Sequence, residues 1–193
     1  DALPPVAHLI DEDTILLSIA AGTTLRVLKE LTGQTDLVIR AMPNTPAAIG
    51  EGITVACPKS VLNGAQAAQV DMLLSAGGIV RWVDDEGDMD VVTAISGSGP
   101  AYVFYLIECL AAAGEGQGLS EDLARDLAMH TVAGAGSLAK ASDQSARDLR
   151  RAVTSPGGTT QAGLEVLMGE GGLAEVVRHT VIAAAKRSRE LSK

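Results

Sequence analysis

Aromatic residues are scarce in this sequence, with one Trp, two Tyr and one Phe, or 2% of 193 residues. Hydrophobic residues still make up 47% and charged residues 20%. This composition excludes a disordered polymer, because such chains lack the apolar content that offsets the entropy lost on ordering. Ala, Val, Leu and Ile must therefore build the core, and side chains this small favour close helix–helix packing.

Cysteine is rare, and long apolar runs are missing. Cys57 and Cys109 lie in apolar segments without a C-x-x-C pattern, so we predict a small buried thiol at each. No disulfide framework is indicated, which predicts a reducing, cytoplasmic location. The apolar run 101–113 contains Glu108 and is shorter than the roughly 20 residues that cross a bilayer. The chain begins at Asp1 without the features of a signal peptide, and we interpret it as a fragment of a longer chain.

Basic residues are outnumbered, with 15 Lys and Arg against 24 Asp and Glu, which gives a net charge of −9. A surface of this sign disfavours nucleic acid as a partner. The three histidines, His8, His130 and His179, lack the spacing of metal ligands, so we predict no metal site. There is also no G-x-S-x-G elbow and no catalytic triad to consider.

The order of apolar segments predicts an α/β region followed by an all-helical region. Predicted strands alternate with predicted helices up to residue 83, which is typical of a mainly parallel sheet. After the acidic segment that begins at Asp84, every periodic segment is helical. We therefore predict two domains, 1–84 and 85–193. The predicted strands are 14–20, 37–41, 53–57 and 79–83.

Three segments interrupted by Gly or Pro could carry chemistry. RAMPNTP, residues 40–46, follows a buried strand, where ligands bind in open α/β sheets, although a rigid turn is the alternative. SGSGP, residues 96–100, joins two helices, and its alternative is a kink where two backbones pass closely. SPGGTT, residues 155–160, opens a helix and offers backbone N–H groups to an anion, and its alternative is an ordinary capped turn.

Together, in this order and spacing, RAMPNTP, VTAISGSGPAYVF and AVTSPGGTTQAGLEVL resemble the pyrroline-5-carboxylate reductases, the last enzymes of proline synthesis. The resemblance runs from Ile10 to Leu191. It implies the C-terminal part of a Rossmann-like parallel sheet followed by a helical dimerisation domain. The family's opening βαβ unit, with its G-x-G-x-x-G fingerprint, has no counterpart in these residues. We therefore expect this chain alone to self-associate but not to reduce the substrate unaided.

The resemblance also implies the reaction and its partners. The family transfers a hydride from NADPH or NADH to a cyclic imine carboxylate and forms L-proline, and it assembles as homodimers that often build decamers. By this resemblance Ser98 and Thr160 are catalytic. The residues that match substrate-binding positions are Glu86, Ser155, Gly157, Gly158, Thr159 and Thr160. Those that match cofactor-binding positions are Ile19, Ala20, Ala21, Met42, Pro43 and Asn44.

At two positions the residues of this sequence limit what the resemblance implies. For Glu86 a solvated residue of an acidic linker is the favoured alternative, because neighbouring Asp residues are equally available in the segment. Some family members carry an Asn shortly before the SPGG-type motif that reaches the cofactor. Ala152 stands there in this sequence, so that contact does not carry over.

Two other functions are left open. The chain could act only as a helical assembly module, which binding of NADPH would distinguish from an enzyme. It could also be a reductase of a related imine or of a 3-hydroxy acid. Hydroxy-acid dehydrogenases of this two-domain plan usually use a Lys in the helical region as proton donor. No Lys occurs between residues 88 and 118, which favours the imine.

Overall fold

A computed structural model describes residues 3–33 and 35–192 of the chain. Asp1, on which the interpretation as a fragment rests, lies outside the described residues. The described chain divides into two compact units, one of residues up to 100 together with 181–192, and one of residues 101–180. Compactness does not say which residues bind or dimerise, so domains 1–84 and 85–193 remain a prediction.

The first unit is built on a four-stranded mixed sheet with the strand order β1-β2-β3-β4. The β1–β2 and β3–β4 pairs are parallel, as expected of a mainly parallel sheet, and the third pairing, between β2 and β3, is antiparallel. Residues 43–51 connect β2 to β3 through a single 3₁₀ turn, whereas a parallel pair needs a crossover of roughly a dozen residues or more. The strands are β1 Leu16–Ser18, β2 Val38–Met42, β3 Gly52–Pro58 and β4 Gly78–Trp82.

Helices α1, Leu25–Thr32, and α2, Gly64–Leu74, lie between the strands. Thr24 caps α1 by accepting a hydrogen bond from the N–H of Val27, and Asn63 with Gln66 forms a capping box on α2. The sheet packs apolar side chains on both faces because β2 alternates between two clusters. One cluster contains Leu25, Leu28, Val38, Val55, Cys57 and Met89, and the other Ile39, Ala41, Ala56 and Val70.

The rest of the chain is helical, which confirms the predicted fold class of an α/β region followed by an all-α region. One turn, Thr93–Gly97, has the wider π form. Near the end of the last helix, the buried Ser188 donates a hydrogen bond to Asp90 Oδ1 at 2.6 Å, and this contact lies within the first unit. The helices are α3 Asp88–Val92, α4 Gly99–Gly116, α5 Glu121–Ala141, α6 Ala146–Ala152, α7 Thr159–Leu167 and α8 Leu173–Leu191.

The second unit has very little core of its own. Among its described residues only Ala124 and Ala128 are buried hydrophobics. Cys57 is buried as predicted, but Cys109 is exposed, because no other part of the described chain covers its face of α4. No helix in the described ranges has the length and apolar character needed to span a bilayer. Large apolar side chains that remain exposed include Phe104, Tyr105, Leu106, Leu110, Leu127, Val176 and Val177.

The first residues of β3 and β4 pack backbone against backbone, and this contact provides a test of the sheet. Gly78 has a φ of +133°, and a Cβ there would collide with the carbonyl oxygen of Gly52, its register partner. We expect Gly78→Ala to lower the free energy of unfolding by about 1–3 kcal/mol, the usual cost of such backbone strain. Urea unfolding measures the change.

The matched control is Gly64→Ala at the start of α2, where a Cβ would meet nothing within 4 Å. It should leave the stability unchanged or raise it by up to about 1 kcal/mol, because alanine loses less backbone entropy in a helix. Equal effects of the two substitutions would contradict the close packing at Gly78.

Candidate active site

The segments predicted to face the cofactor meet at one edge of the sheet. Because β1 and β2 are parallel, with Ser18 paired to Arg40, their carboxyl ends lie side by side. Ile19–Ala21 follow β1 and are exposed, and Met42 ends β2 at the same edge. This is the edge at which open α/β sheets bind ligands.

The loop after β2 is held in place from within. The side-chain oxygen of Asn44 accepts a hydrogen bond from the N–H of Ile53 at 3.0 Å, and this contact ties the loop to the start of β3. A 3₁₀ turn, Thr45–Ile49, follows directly. The rigid turn predicted for RAMPNTP is therefore present, and it presents Met42, Pro43 and Asn44 as one fixed segment.

Ser98 follows the π turn, which Met42 contacts. The N–H of Ser98 donates to the carbonyl of Thr93 at 2.8 Å, the wide hydrogen bond that defines this turn. A Cβ at Gly97 would lie 2.7 Å from the Cε of Met42, so only glycine fits there without a shift. The close neighbour of SGSGP is thus a side chain, and the passage of two backbones that was the alternative for this segment is not what the structure shows at Gly97. π turns are rare and concentrate at functional sites.

Glu86 is not the freely solvated linker residue that its acidic neighbours suggested. Its Oε1 lies 3.0 Å from Nη1 of Arg40, whose side chain is only 5% exposed. The same oxygen accepts a hydrogen bond from the N–H of Leu25, the first residue of α1, at 2.8 Å. Glu86 therefore joins β2 to the N-terminus of α1, and its contact with substrate remains a prediction.

In the second unit, the SPGGTT segment forms a turn that needs both of its glycines. Gly157 has a φ of +69°, and its N–H donates to the side-chain oxygen of Gln161 at 2.7 Å. The N–H of Gly158 donates to the carbonyl of Ser155 at 3.1 Å, and a Cβ at Gly158 would collide with the Ser155 hydroxyl. Gly157 thus has a left-handed backbone conformation, and Gly158 leaves no room for a side chain beside Ser155.

Helix α7 begins with an open N-terminus. Its N-cap residue is Gly158, which has no side chain to cap it, and the first intrahelical donor is the N–H of Ala162. The N–H groups of the first three helical residues, 159–161, therefore precede the intrahelical hydrogen bonds. The exposed Thr159 and Thr160 add their hydroxyl groups at the same end.

Charged side chains of both signs line a cavity beside α7. Arg150 and Arg151 line a cavity of about 460 Å³ together with Gln161 and Glu165. Gln161 also donates to Glu165 at 2.9 Å while accepting from Gly157, so one side chain fixes the turn against the helix. The turn and its helix can therefore hold a small anion with backbone dipoles and hydroxyl groups.

Neither a metal nor a nucleophilic thiol is part of this geometry. In the described ranges no three His, Cys, Asp or Glu side chains come together as a metal site. Burial raises the pKa of the Cys57 thiol to about 11, the negative charge of Glu86 adds to the rise, and Arg40 opposes it. Cys57 is therefore a protonated thiol near neutral pH and has no role as a nucleophile.

Comparison with known proteins decides the family. Residues 86–191 match the family model described as pyrroline-5-carboxylate reductase dimerisation. The chain is 41% identical over 187 residues to pyrroline-5-carboxylate reductase of Pseudomonas aeruginosa, with 97% of this chain and 68% of that protein covered. It belongs to the pyrroline-5-carboxylate reductase family. The resemblance carried by the three Gly/Pro segments is thereby confirmed.

Further members of the family agree in sequence and in fold. The reductase of Arabidopsis thaliana is 44% identical, with 99% of this chain and 68% of that protein covered. The solved structure of the Coxiella burnetii reductase superposes with a TM-score of 0.91 at 35% identity, covering 99% of this chain and 71% of that one. The Plasmodium falciparum enzyme, solved with NADP bound, gives a TM-score of 0.81 at 34% identity, with 99% and 74% covered.

Two structural contributions were missed in the sequence, those of Arg40 and Gln161. Arg40 was quoted in RAMPNTP without a role, although a charged residue between apolar neighbours in a strand is a signal of a buried ion pair. Gln161 follows the SPGGTT motif directly, where a side-chain oxygen can reach back to the preceding turn. Neither sequence feature predicts the partner group, which is Glu86 for Arg40 and the N–H of Gly157 for Gln161 in the folded chain.

The raised pKa of Cys57 predicts a pH dependence of stability. Below pH 9.0 the thiol is protonated in both states, and between pH 9.0 and about 11 it ionises in the unfolded chain first. The free energy of unfolding should therefore fall across this interval, because the unfolded state releases more protons. Urea unfolding at a series of pH values, compared with Cys57→Ala, isolates the effect. If the two curves ran parallel, the buried thiol would not be the cause.

Proposed function

We propose that this chain functions in the NADPH- or NADH-dependent reduction of 1-pyrroline-5-carboxylate to L-proline, the last step of proline biosynthesis. The observation that carries the proposal is the open N-terminus of α7 behind the Gly157–Gly158 turn. It supplies anion-binding donors together with two threonine hydroxyls and no nucleophile. That set suits a small carboxylate substrate and a reaction that needs positioning alone.

The substrate carboxylate is bound at the first turn of α7. The N–H groups of Thr159, Thr160 and Gln161 point out of the helix end and donate to the carboxylate oxygens, and the helix dipole favours the negative charge there. Ser155 shapes the turn from its other end, where its carbonyl holds Gly158. The N–H groups at the start of α7 attract the carboxylate locally, so a protein with a net charge of −9 can still bind this anion.

The hydroxyl of Thr160 donates a hydrogen bond to the ring nitrogen of the imine. Reduction adds a hydride to the carbon of the C=N bond, and the nitrogen takes a proton from water, so a hydrogen-bond donor at that nitrogen follows the change in its charge. Ser98, at the end of the π turn, is the second hydroxyl that we assign to the catalytic centre. Glu86 serves in our interpretation through Arg40 rather than through the substrate.

The exposed edge of the sheet fits the nicotinamide end of the cofactor. NADPH or NADH, when bound, supplies the hydride. Ile19, Ala20 and Ala21 offer small or apolar exposed surface, and Met42, Pro43 and Asn44 form the fixed loop beside them. The first N–H of α1 already binds Glu86, so this helix end does not receive a phosphate group.

The helical part of the chain mediates self-association. The dimerisation model matches residues 86–191, and large apolar side chains on α4 and α8 have no cover within the single chain. A homodimer would bury these faces, as obligate interfaces do. Such dimers would be the units of the decamer that the family resemblance implies. Two free cysteines agree with the cytoplasmic location that we propose.

The role of Thr160 can be tested by kinetics of the full-length native protein, rather than of these 193 residues alone, with 1-pyrroline-5-carboxylate and NADPH. We expect Thr160→Ala to lower kcat/KM by about twofold to a hundredfold, the range for loss of one hydrogen bond to a neutral or charged partner. The melting temperature should not change, because Thr160 is exposed.

Thr180→Ala is the matched control, since that hydroxyl donates only to the carbonyl of Val176 in its own helix. It should leave kcat/KM unchanged. An unaltered kcat/KM in Thr160→Ala would remove Thr160 from the mechanism. No oxidation of NADPH or NADH by the full-length wild-type protein with this imine would refute the proposed function itself.

Self-association can be tested by a charge placed on α8. Val177 is 49% exposed in the single chain, and we expect Val177→Glu to shift the protein toward monomer, because an unpaired charge would be buried in the dimer. Light scattering measures the mass. Val61→Glu, at a loop position that is 96% exposed, is the control and should remain dimeric or larger. A dimeric Val177→Glu would place the interface elsewhere.

A further inference from the structure

A buried arginine in β2 meets a single carboxylate from a distant segment. Arg40 lies between Ile39 and Ala41, which are almost completely buried, and it is itself only 4% exposed. Its Nη1 lies 3.0 Å from Oε1 of Glu86. Burial of an arginine is costly unless it is paired and hydrogen-bonded, so this contact constrains where residue 86 can lie.

The carboxylate that pairs with Arg40 has a second task. Its Oε1 also accepts the N–H of Leu25 at 2.8 Å, so one oxygen contacts a strand and a helix N-terminus at once. The three partners belong to the first unit and come from segments that are far apart in sequence. Movement of residue 86 would therefore break both contacts together.

The same two segments touch again nearer to the proposed site. Two residues after Arg40, the side chain of Met42 packs against the backbone of Gly97. Gly97 ends the π turn that continues α3, and α3 begins two residues after Glu86. The end of β2 and the segment 86–97 are thus joined by an ion pair at one end and by an apolar contact at the other.

We propose that Arg40 and Glu86 act as a positioning pair, whose contact fixes the Met42–Asn44 loop relative to Ser98. The pair touches neither the substrate nor the cofactor. The loop follows the end of β2, and Ser98 follows the segment 86–97. Because the pair holds these two segments together, it sets the distance over which the hydride is transferred. This inference rests on the proposed function, since it concerns the geometry of that reaction.

The central experiment compares Glu86→Gln, Arg40→Met and the double variant Arg40→Met/Glu86→Gln in the native protein. Glu86→Gln leaves the buried charge of Arg40 without its partner, and Arg40→Met leaves the partly buried charge of Glu86 without its partner, so each should lower the melting temperature, Glu86→Gln by more. The double variant removes both charges and should recover most of that loss. If a single variant does not fold, the double variant carries the test alone.

If the pair positions the reacting groups, the double variant should have a low kcat even though its melting temperature is largely restored. We expect kcat to be lower by about tenfold to a hundredfold, as for a small misplacement of reacting groups. The KM for the imine should stay within about twofold, since the carboxylate-binding turn is not changed. The isotope effect on kcat, measured with reduced nicotinamide carrying deuterium at the transferred position, should rise as hydride transfer becomes rate-limiting.

A matched control is the exposed pair Arg26–Glu30 on α1, with the two groups 2.9 Å apart and more than half exposed. The double variant Arg26→Met/Glu30→Gln should keep the wild-type kcat and isotope effect, because neither side chain is part of the clamp.

Three results would overturn the proposal. Recovery of kcat together with the melting temperature in the double variant would mean that the pair serves stability only. A KM for the imine that rises in Glu86→Gln but not in Arg40→Met would mean that Glu86 contacts the substrate. A wild-type protein that does not reduce the imine would overturn the proposed function and this inference with it.

Discussion

The ion pair between Arg40 and Glu86 is the constraint on which the first unit depends. A guanidinium on the face that β2 shares with the apolar Val38 and Met42 must find a carboxylate, and the partner lies 46 residues further along the chain. Because Glu86 lies in the linker after β4, its pairing with Arg40 holds that linker against the sheet. The same carboxylate caps α1, so strand, helix and linker are fixed by one group.

A second constraint comes from the scarcity of aromatic residues. Four aromatic side chains cannot fill a large core, and the helices of the second unit bury little beyond Ala124 and Ala128 on their own. Their apolar faces therefore remain available for another copy of the chain. Small side chains limit the core that one chain can build, and they also allow close packing between chains, so composition and dimerisation have the same physical origin.

What could be predicted from the sequence was mostly local. The strands and helices follow apolar periodicity, and the turn at Gly157 follows from its glycines, because nearby residues decide both. The antiparallel β2–β3 pairing was not predicted, because it depends on the length of the connection. The exposure of Cys109 was predicted wrongly, because it depends on which element covers a helix face. The partner of Arg40 depends on the complete fold and could not be predicted from nearby residues.

The chemistry of the proposed site explains why its residues carry so little signature. A hydride acceptor needs no nucleophile, and a carboxylate can be held by backbone N–H groups, so glycine, serine and threonine suffice where other enzymes need lysine or histidine. Backbone donors are only as well placed as the turn that aims them. The internal hydrogen bonds of that turn, from Gly157 to Gln161 and from Gly158 to Ser155, would therefore decide how well the proposed site is aimed. Specificity in such a site resides in the conformation of the main chain, which short motifs with fixed spacing encode more directly than any single reactive residue.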